Sequence, residues 1–340
     1  MKTLVTGGAG YIGSHTAIEL LAAGHDVVVL DNLSNGTRAA VEAIGRVANR
    51  DVPVVEGDIR DPVCLDRAFA EHRFDAVLHF AALKAVGESV AKPLRYYQNN
   101  VAGTVCLVER MAAHGVKTLV FSSSAAVYGD PGTMPINEDS PPDPTSPYAR
   151  TKLIVEGLLH DTHAADPGWR ISILRYFNAV GAHPSGEIGE DPAGVPMNLL
   201  PSVAQVAVGR RELLNVFGND YPTPDGTGVR DYLHVVDLAR GHVNALDYLA
   251  TGTGVAVHNL GTGRGHTVFE VVRAFEAASG RQIPYRIAPR RPGDVVVSCA
   301  DPGKAGDELG WTAQYDLRRM CEDLWRWQTT HPHGFRGGKA

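Results

Sequence analysis

The segment Thr6-Gly7-Gly8-Ala9-Gly10-Tyr11-Ile12-Gly13 sets glycine at every third position (Gly7, Gly10, Gly13) between two apolar stretches. The stretch before it, 2–6, reads as a short buried strand, and 11–23 reads as a helix with one apolar face. Glycines at such a junction permit a tight turn, close backbone approach to a ligand and close packing of helix on strand. The helix N-terminus then presents unpaired N–H groups and the positive end of its dipole to an anion, such as a pyrophosphate. A second apolar strand, 26–30, leads into Asp31. That carboxylate lies about 20 residues beyond the loop, where it accepts from a ribose 2′-OH and repels a 2′-phosphate. The expectation is a dinucleotide site that favours NAD over NADP.

Strand and helix patterns alternate after this opening. Strands are expected at 52–56, 76–80, 118–121 and 171–174, and long helices near 94–114 and 148–164. Such alternation implies parallel crossovers and a doubly wound α/β Rossmann sheet, with ligands beyond the carboxyl ends of the strands. Asp31, Asp58, Phe80-Ala81-Ala82-Leu83-Lys84 and Ser122-Ser123-Ser124 all fall at or just after predicted strand ends, so one crevice collects them. Beyond Tyr176 the pattern changes: 181–196 and 218–228 read as loops, whereas 233–249 and 255–260 read as a helix and a strand that rejoin the sheet. The expected division is a dinucleotide-binding domain at 1–177, rejoined by 231–261, and a smaller, discontinuous α/β substrate domain at 178–230 and 262–340.

Composition narrows the class. At 340 residues and 44% hydrophobic content, the chain can bury a large core. A net charge of −6 with both signs interspersed offers no basic footprint for nucleic acid. No apolar run reaches membrane-spanning length, and Met1 leads into a strand rather than a signal peptide. Cys64, Cys106, Cys299 and Cys321 are scattered, which suits a reducing cytoplasm. The 14 histidines form no metal-ligand spacing, so no metal site is expected, and His331-Pro332-His333 reads as a solvated tail.

Tyr148-Ala149-Arg150-Thr151-Lys152 supplies the chemistry. Residues four apart share a helix face, so phenol and ammonium project together. A free phenol, with a pKa of about 10, is too weak a base at neutral pH. A cation roughly 6 Å away, at an effective dielectric near 20, favours the phenolate by about 3 kcal/mol, or around two pKa units. Lys152 is expected to provide that cation and an oxidised nicotinamide a second. Tyr148 then takes a proton from a substrate alcohol while the carbon gives up hydride, and Ser124 bridges the alcohol and the phenol.

These residues resemble the extended short-chain dehydrogenase/reductase family and, more narrowly, its UDP-glucose (UDP-galactose) 4-epimerase branch. The resemblance runs through Val55-Glu56-Gly57-Asp58-Ile59-Arg60, Leu83-Lys84-Ala85-Val86-Gly87-Glu88-Ser89, Asn99-Asn100-Val101 and Arg175-Tyr176-Phe177-Asn178. It continues in Gly181-Ala182-His183-Pro184-Ser185-Gly186 and Gly228-Val229-Arg230-Asp231-Tyr232. It implies tightly held NAD, hydride removal at C4 of a UDP-hexose, rotation of the 4-keto sugar, and hydride return to its other face. By the same resemblance Tyr11, Ile12, Asp31, Asn32, Asp58, Ile59, Phe80, Ala81, Lys84, Asn99 and Phe177 join the glycines, Tyr148 and Lys152 around NAD. Asn178, Asn198, Leu199, Phe217, Arg230, Arg291, Asp294 and Ser298 match UDP-sugar positions, with Ser124 on the sugar. Where relatives carry either tyrosine or a small residue, Ser298 implies room for an N-acetyl group at C2. Two helices near 94–114 and 148–164 match those through which the family forms homodimers.

Other readings differ at identifiable residues. A nucleotide-sugar 4,6-dehydratase would carry Asp-Glu after the hydroxyl residue, but Ala125-Ala126 stands there. A UDP-glucuronate epimerase or decarboxylase would need a site for a C6 carboxylate, which spacing alone does not exclude. A non-catalytic NAD sensor would have no need of Ser124, Tyr148 and Lys152.

Overall fold

The computed structural model describes residues 1–337 apart from 192, 193, 195, 197 and 292. Its main sheet has seven strands: β1 (Lys2–Thr6), β2 (Asp26–Asp31), β3 (Val54–Glu56), β4 (Ala76–His79), β5 (Thr118–Ser124), β6 (Arg170–Tyr176) and the strand Gly254–Leu260. All pairings are parallel, in the spatial order Gly254–Leu260, β6, β5, β4, β1, β2, β3. The chain winds outward from β1 to β3, then returns to lay β4 on the other side of β1. This reversal opens a crevice at the carboxyl ends of β1 and β4. Both sheet faces are covered, so consecutive residues such as Leu4 and Val5 are fully buried.

Two elements differ in ways that matter for the site. The fifth strand was expected to end at 121, but it runs to Ser124 because Ser122, Ser123 and Ser124 pair in register with Leu174, Arg175 and Tyr176. The serine run is therefore held rigidly inside the sheet. Between the α-helical pieces Pro93–Tyr96 and Gly103–Ala113, residues Tyr97–Ala102 widen into a π-helical turn. There the buried Asn100 side chain accepts from the Leu83 amide (2.8 Å) and donates to the Leu83 carbonyl and Thr151 Oγ1 (each 3.0 Å). The turn ties the helix to the segment following β4, the kind of local departure common at functional sites.

A second layer is built around the strand Val229–His234. It pairs with Asn178–Val180, Gly265–Thr267 and Val297–Ser298, while Leu214–Phe217 and Tyr285–Ala288 form a separate parallel pair. The helix expected at 233–249 begins at Val235, where the His234 ring caps it by accepting from the Val236 amide (3.1 Å). The short run Leu233-His234-Val235-Val236, apolar except for His234, carries no periodicity that separates strand from helix, which explains the shifted start. Strand Gly254–Leu260 does rejoin the main sheet, beside β6.

The stretch His331-Pro332-His333 is only partly a solvated tail: Pro332 and His333 are exposed, but His331 and the nearby Phe335 dock. The His331 ring stacks on Trp327 with centroids 4.1 Å apart, and Phe335 packs on the same indole at 4.8 Å. Trp327 is itself nearly fully buried in a core with Phe275, Val203 and Leu200. Aromatic burial there outweighs the local polarity of the histidines.

Behind β5 lies a buried ion pair. Arg175 Nη2 donates to Glu156 Oε2 at 2.6 Å, its Nε donates to both carboxylate oxygens at 3.1 Å, and its Nη1 donates to the Tyr128 hydroxyl at 3.0 Å. Ser123 Oγ closes the network on Glu156. Removing one partner of a buried pair leaves the other charge without compensation, so Glu156→Ala should cost about 3–5 kcal/mol. A urea midpoint shift is the measurement, and an unchanged midpoint would contradict this account of the pair.

Candidate active site

A groove runs along the carboxyl ends of the strands. Gly7, Gly10, Tyr11, Ile12, Gly13, Asp31, Asn32, Ile59, Phe80, Ala81, Lys84, Asn99, Tyr148 and Lys152 all line it. The glycine loop is built for close approach. Gly7 has φ +71°, and a Cβ there would sit 2.6 Å from the Ala81 amide nitrogen. A Cβ on Gly13 would lie 2.5 Å from the Gly7 carbonyl oxygen. Helix Tyr11–Ala22 starts at Gly10 without a side-chain cap, so its first N–H groups remain available to an anion.

Asp31 closes the far end of this loop. One carboxylate oxygen accepts from the Ala9 amide (3.0 Å), the other from the Leu33 amide (2.8 Å). Burial pushes its pKa up, and those two backbone donors hold part of the rise back. Asp58 stands beside it rather than in the groove lining. It accepts from Asn32 Nδ2 (2.9 Å) and from the Arg60 guanidinium, whose hydrogen bonds hold its carboxyl well below the usual range. A loop that tolerates no Cβ, an open helix end and an acid behind it fit a dinucleotide pyrophosphate and ribose.

At the other end the groove meets Tyr148, Ser122, Lys152 and Tyr176. Ser124 hydrogen-bonds the Tyr148 phenol, so the two sequence-predicted hydroxyls do come together. The electrostatics differ from expectation. Burial raises the Tyr148 pKa, opposed by the Ser124 hydrogen bond and by the field of Lys84. Lys152 instead points its Nζ at the Ser122 carbonyl (2.6 Å) and over the Phe121 ring (4.9 Å). Burial lowers its pKa to about 7, against an upward pull from Glu156. In the bare protein Lys84 adds a field that pulls the phenol down, a contribution not foreseen beside that of Lys152. Lys84 is anchored by Glu190 at 2.8 Å, and that carboxylate keeps the Lys84 pKa raised although burial opposes it.

The residues expected on a nucleotide-sugar gather elsewhere, around strand Val229–His234. Arg291 Nε donates to Asp294 Oδ2 (2.9 Å), and its guanidinium lies 4.8 Å from the Phe217 ring centroid. Arg230 Nη2 approaches the same carboxylate at 4.0 Å, and Ser298 pairs in register with Arg230. Asn178 belongs to the neighbouring strand, where its Nδ2 donates to the Asp231 carbonyl (3.1 Å). Asn198 and Leu199 open the helix Leu199–Ala207. Phe177 does not line the groove; it is buried against Val127, Tyr128, Ile136 and Ala300.

Sequence reasoning missed Asn35 and Gly36, which also line the groove. The Ser-Asn-Gly turn signal was visible there, but nothing local says that the turn folds over Ala9. The Ser122–Tyr176 hydroxyl pair was missed as well, since it depends on the β5–β6 register. Among the described residues, no cluster of three or more His, Cys, Asp or Glu side chains could hold a metal ion, and no helix is long and apolar enough to cross a membrane.

Comparison with known proteins fits this geometry. The family described as GDP-mannose 4,6 dehydratase matches residues 4–324. A UDP-glucose 4-epimerase of Bacillus subtilis is 57% identical over 339 residues, covering 100% of both chains. A UDP-glucose 4-epimerase of Mus musculus is 55% identical, covering 98% of each. The solved UDP-glucose 4-epimerase of Bifidobacterium longum, in complex with NAD+ and UDP, superposes with a TM-score of 0.96 at 52% identity, covering 98% of this chain and 100% of that one.

The position of Lys152 has a measurable consequence. In the dinucleotide-free protein its amine should lose its proton near pH 7 rather than near its ordinary 10.5, because burial disfavours the charged form. The ¹³Cε shift of Lys152, followed by NMR against a Lys152→Met control, checks this. Titration above about pH 9 would leave burial without the assigned effect.

Proposed function

We propose that this chain, which belongs to the UDP-glucose 4-epimerase family, interconverts UDP-galactose and UDP-glucose with a retained NAD. The observation that carries the reading is the convergence of Tyr148, its Ser124 partner and the glycine-loop groove at one switch point of the sheet. When bound, NAD supplies the acceptor and donor for hydride at C4, and its oxidised ring adds positive charge near Tyr148. The protein's own part is proton handling and positioning. Ser124 links the sugar hydroxyl to the phenol, and Tyr148 takes the C4-OH proton and later returns it. Lys84 favours the phenolate. Lys152, held at the Ser122 carbonyl, is proposed to add positive charge beside Tyr148 once NAD is bound and to donate to ribose hydroxyls.

Arg230 and Arg291 are proposed to hold the diphosphate by charge-assisted hydrogen bonds, exchanging part of their pairing with Asp294. Tethering at the diphosphate leaves the 4-keto sugar free to turn and present its other face. We assign residues 1–177 with 231–261 to dinucleotide binding, and 178–230 with 262–340 mainly to the UDP-sugar. Ser298, in register with Arg230, is smaller than a tyrosine by a phenol ring, and we propose that the sugar uses that space. UDP-N-acetylglucosamine and UDP-N-acetylgalactosamine are therefore included as substrates. The UDP-glucuronate and NAD-sensor readings gain no observation in their favour.

The proposed assembly is a homodimer. Val90 (64% exposed), Leu94 (78%) and Ile154 (45%) present large apolar side chains on the helices Val86–Ala91, Pro93–Tyr96 and Pro147–Ala165. A partner helix pair would cover them. Four free cysteines agree with a reducing, cytoplasmic setting.

Tyr148→Phe removes one hydroxyl and should lower kcat by about 10²-fold or more while the bound dinucleotide remains. Activity within a few-fold of wild type, in a coupled assay for UDP-glucose formation, would overturn the assignment. Ser298→Tyr should abolish turnover of the N-acetylated pair and spare UDP-galactose. Wild-type protein that leaves UDP-N-acetylgalactosamine untouched would refute the wider pocket. Leu94→Glu should convert the dimer to a monomer in sedimentation experiments; a wild-type monomer at micromolar concentration would refute the assembly.

A further inference from the structure

We infer that Arg336 is the pin of a clasp that retains the dinucleotide, a proposal that rests on the NAD reading above. The residues before it are fixed by packing: His331 and Phe335 lie on Trp327, and Gly334 turns with φ +66° against the Asp191 carboxylate. Asp191 Oδ2 accepts from the Phe335 amide at 2.9 Å. From this base the Arg336 side chain reaches across to two loops. Its Nη1 donates to the Asp191 carbonyl (2.9 Å), and its Nη2 donates to the carbonyls of Asn35 (2.5 Å) and Gly36 (3.3 Å).

Both loops belong to the wall of the groove. Asn35 and Gly36 line it directly, and a Cβ on Gly36 would meet the Ala9 carbonyl oxygen at 2.7 Å, so this turn rests on the glycine loop itself. Glu190, adjacent to Asp191, is the anchor of Lys84, which also lines the groove. Gly189 lies flat on the Trp327 indole, where a Cβ would come within 2.5 Å of the ring. The C-terminal turn, the 189–191 loop and the 35–36 turn therefore form one closed band over the phosphate side of the groove. Within that band Phe335 supplies the packing, whereas Arg336, about a third exposed, supplies hydrogen bonds between the loops and a long ion pair to the Asp191 carboxylate (4.0 Å). Removing its guanidinium loosens the band without opening the core. A dinucleotide leaves only when the 35–36 turn lifts from Ala9, so the guanidinium slows release.

The test is a chase experiment. Wild type, Arg336→Ala, Arg336→Lys and the distant surface control Arg318→Ala are loaded with radiolabelled NAD, then diluted into excess unlabelled NAD. Retained label is counted over time, and thermal midpoints of the dinucleotide-free proteins check that the fold is intact. Loss of three charge-assisted hydrogen bonds should speed release from Arg336→Ala roughly ten-fold, with Arg336→Lys intermediate. Arg318→Ala should match wild type. Equal release from wild type and Arg336→Ala would overturn the clasp alone. Wild-type protein that retains no label would overturn the cofactor reading and the clasp with it.

Discussion

The structure depends on how closely Gly7 can approach the backbone that follows β4. A side chain there would collide with Ala81, and its φ of +71° suits glycine alone. This contact lets the β1 turn sit at the switch point with helix Tyr11–Ala22 aimed across the crevice. Gly13 beneath and Gly36 above continue the same theme of backbone on backbone. A groove walled by main chain presents N–H donors at fixed positions, with little side-chain entropy to lose when an anion enters.

Around that frame the charged groups are arranged by burial as much as by pairing. Tyr148 is held protonated in the bare protein, and Lys152 is brought close to neutrality. Both shifts arise from desolvation, so both are sensitive to what fills the groove. A cationic ring beside the phenol and hydroxyl acceptors beside the ammonium would each favour the charged form. In the proposed reading the site is poised to become basic on loading, which would tie proton transfer to the presence of the hydride acceptor. The Arg175–Glu156–Ser123 network behind β5 keeps this poise by fixing the strand that carries Ser122 and Ser124.

Much of this was legible in the sequence for a physical reason: the glycine turn, the β-strand periods and the Tyr148–Lys152 spacing are local signals. The alternation of strands and helices was enough to imply the parallel sheet and its crevice. What local signals could not give were facts created by register and long-range packing. The serine run lies within β5 because Leu174 to Tyr176 stand opposite it. Lys84 also acts on Tyr148 because of where β4 ends and where Glu190 returns. Leu233 belongs to a strand because it pairs in register with Ala179, although its own neighbours are equally consistent with a helix. The docking of His331 and Phe335 was not legible because the stretch is locally polar, and the receptor, Trp327, becomes buried only in the assembled core.

The central claim is that hydride leaves and re-enters C4 without passing through water. UDP-galactose carrying deuterium at C4, converted in ordinary water and followed by NMR, tests it most directly. The account predicts UDP-glucose with the deuterium wholly retained at C4 and no proton from solvent at that carbon. Washout of the label to water, in step with epimerisation, would mean that the carbon is deprotonated instead, and would contradict the assignment of this groove.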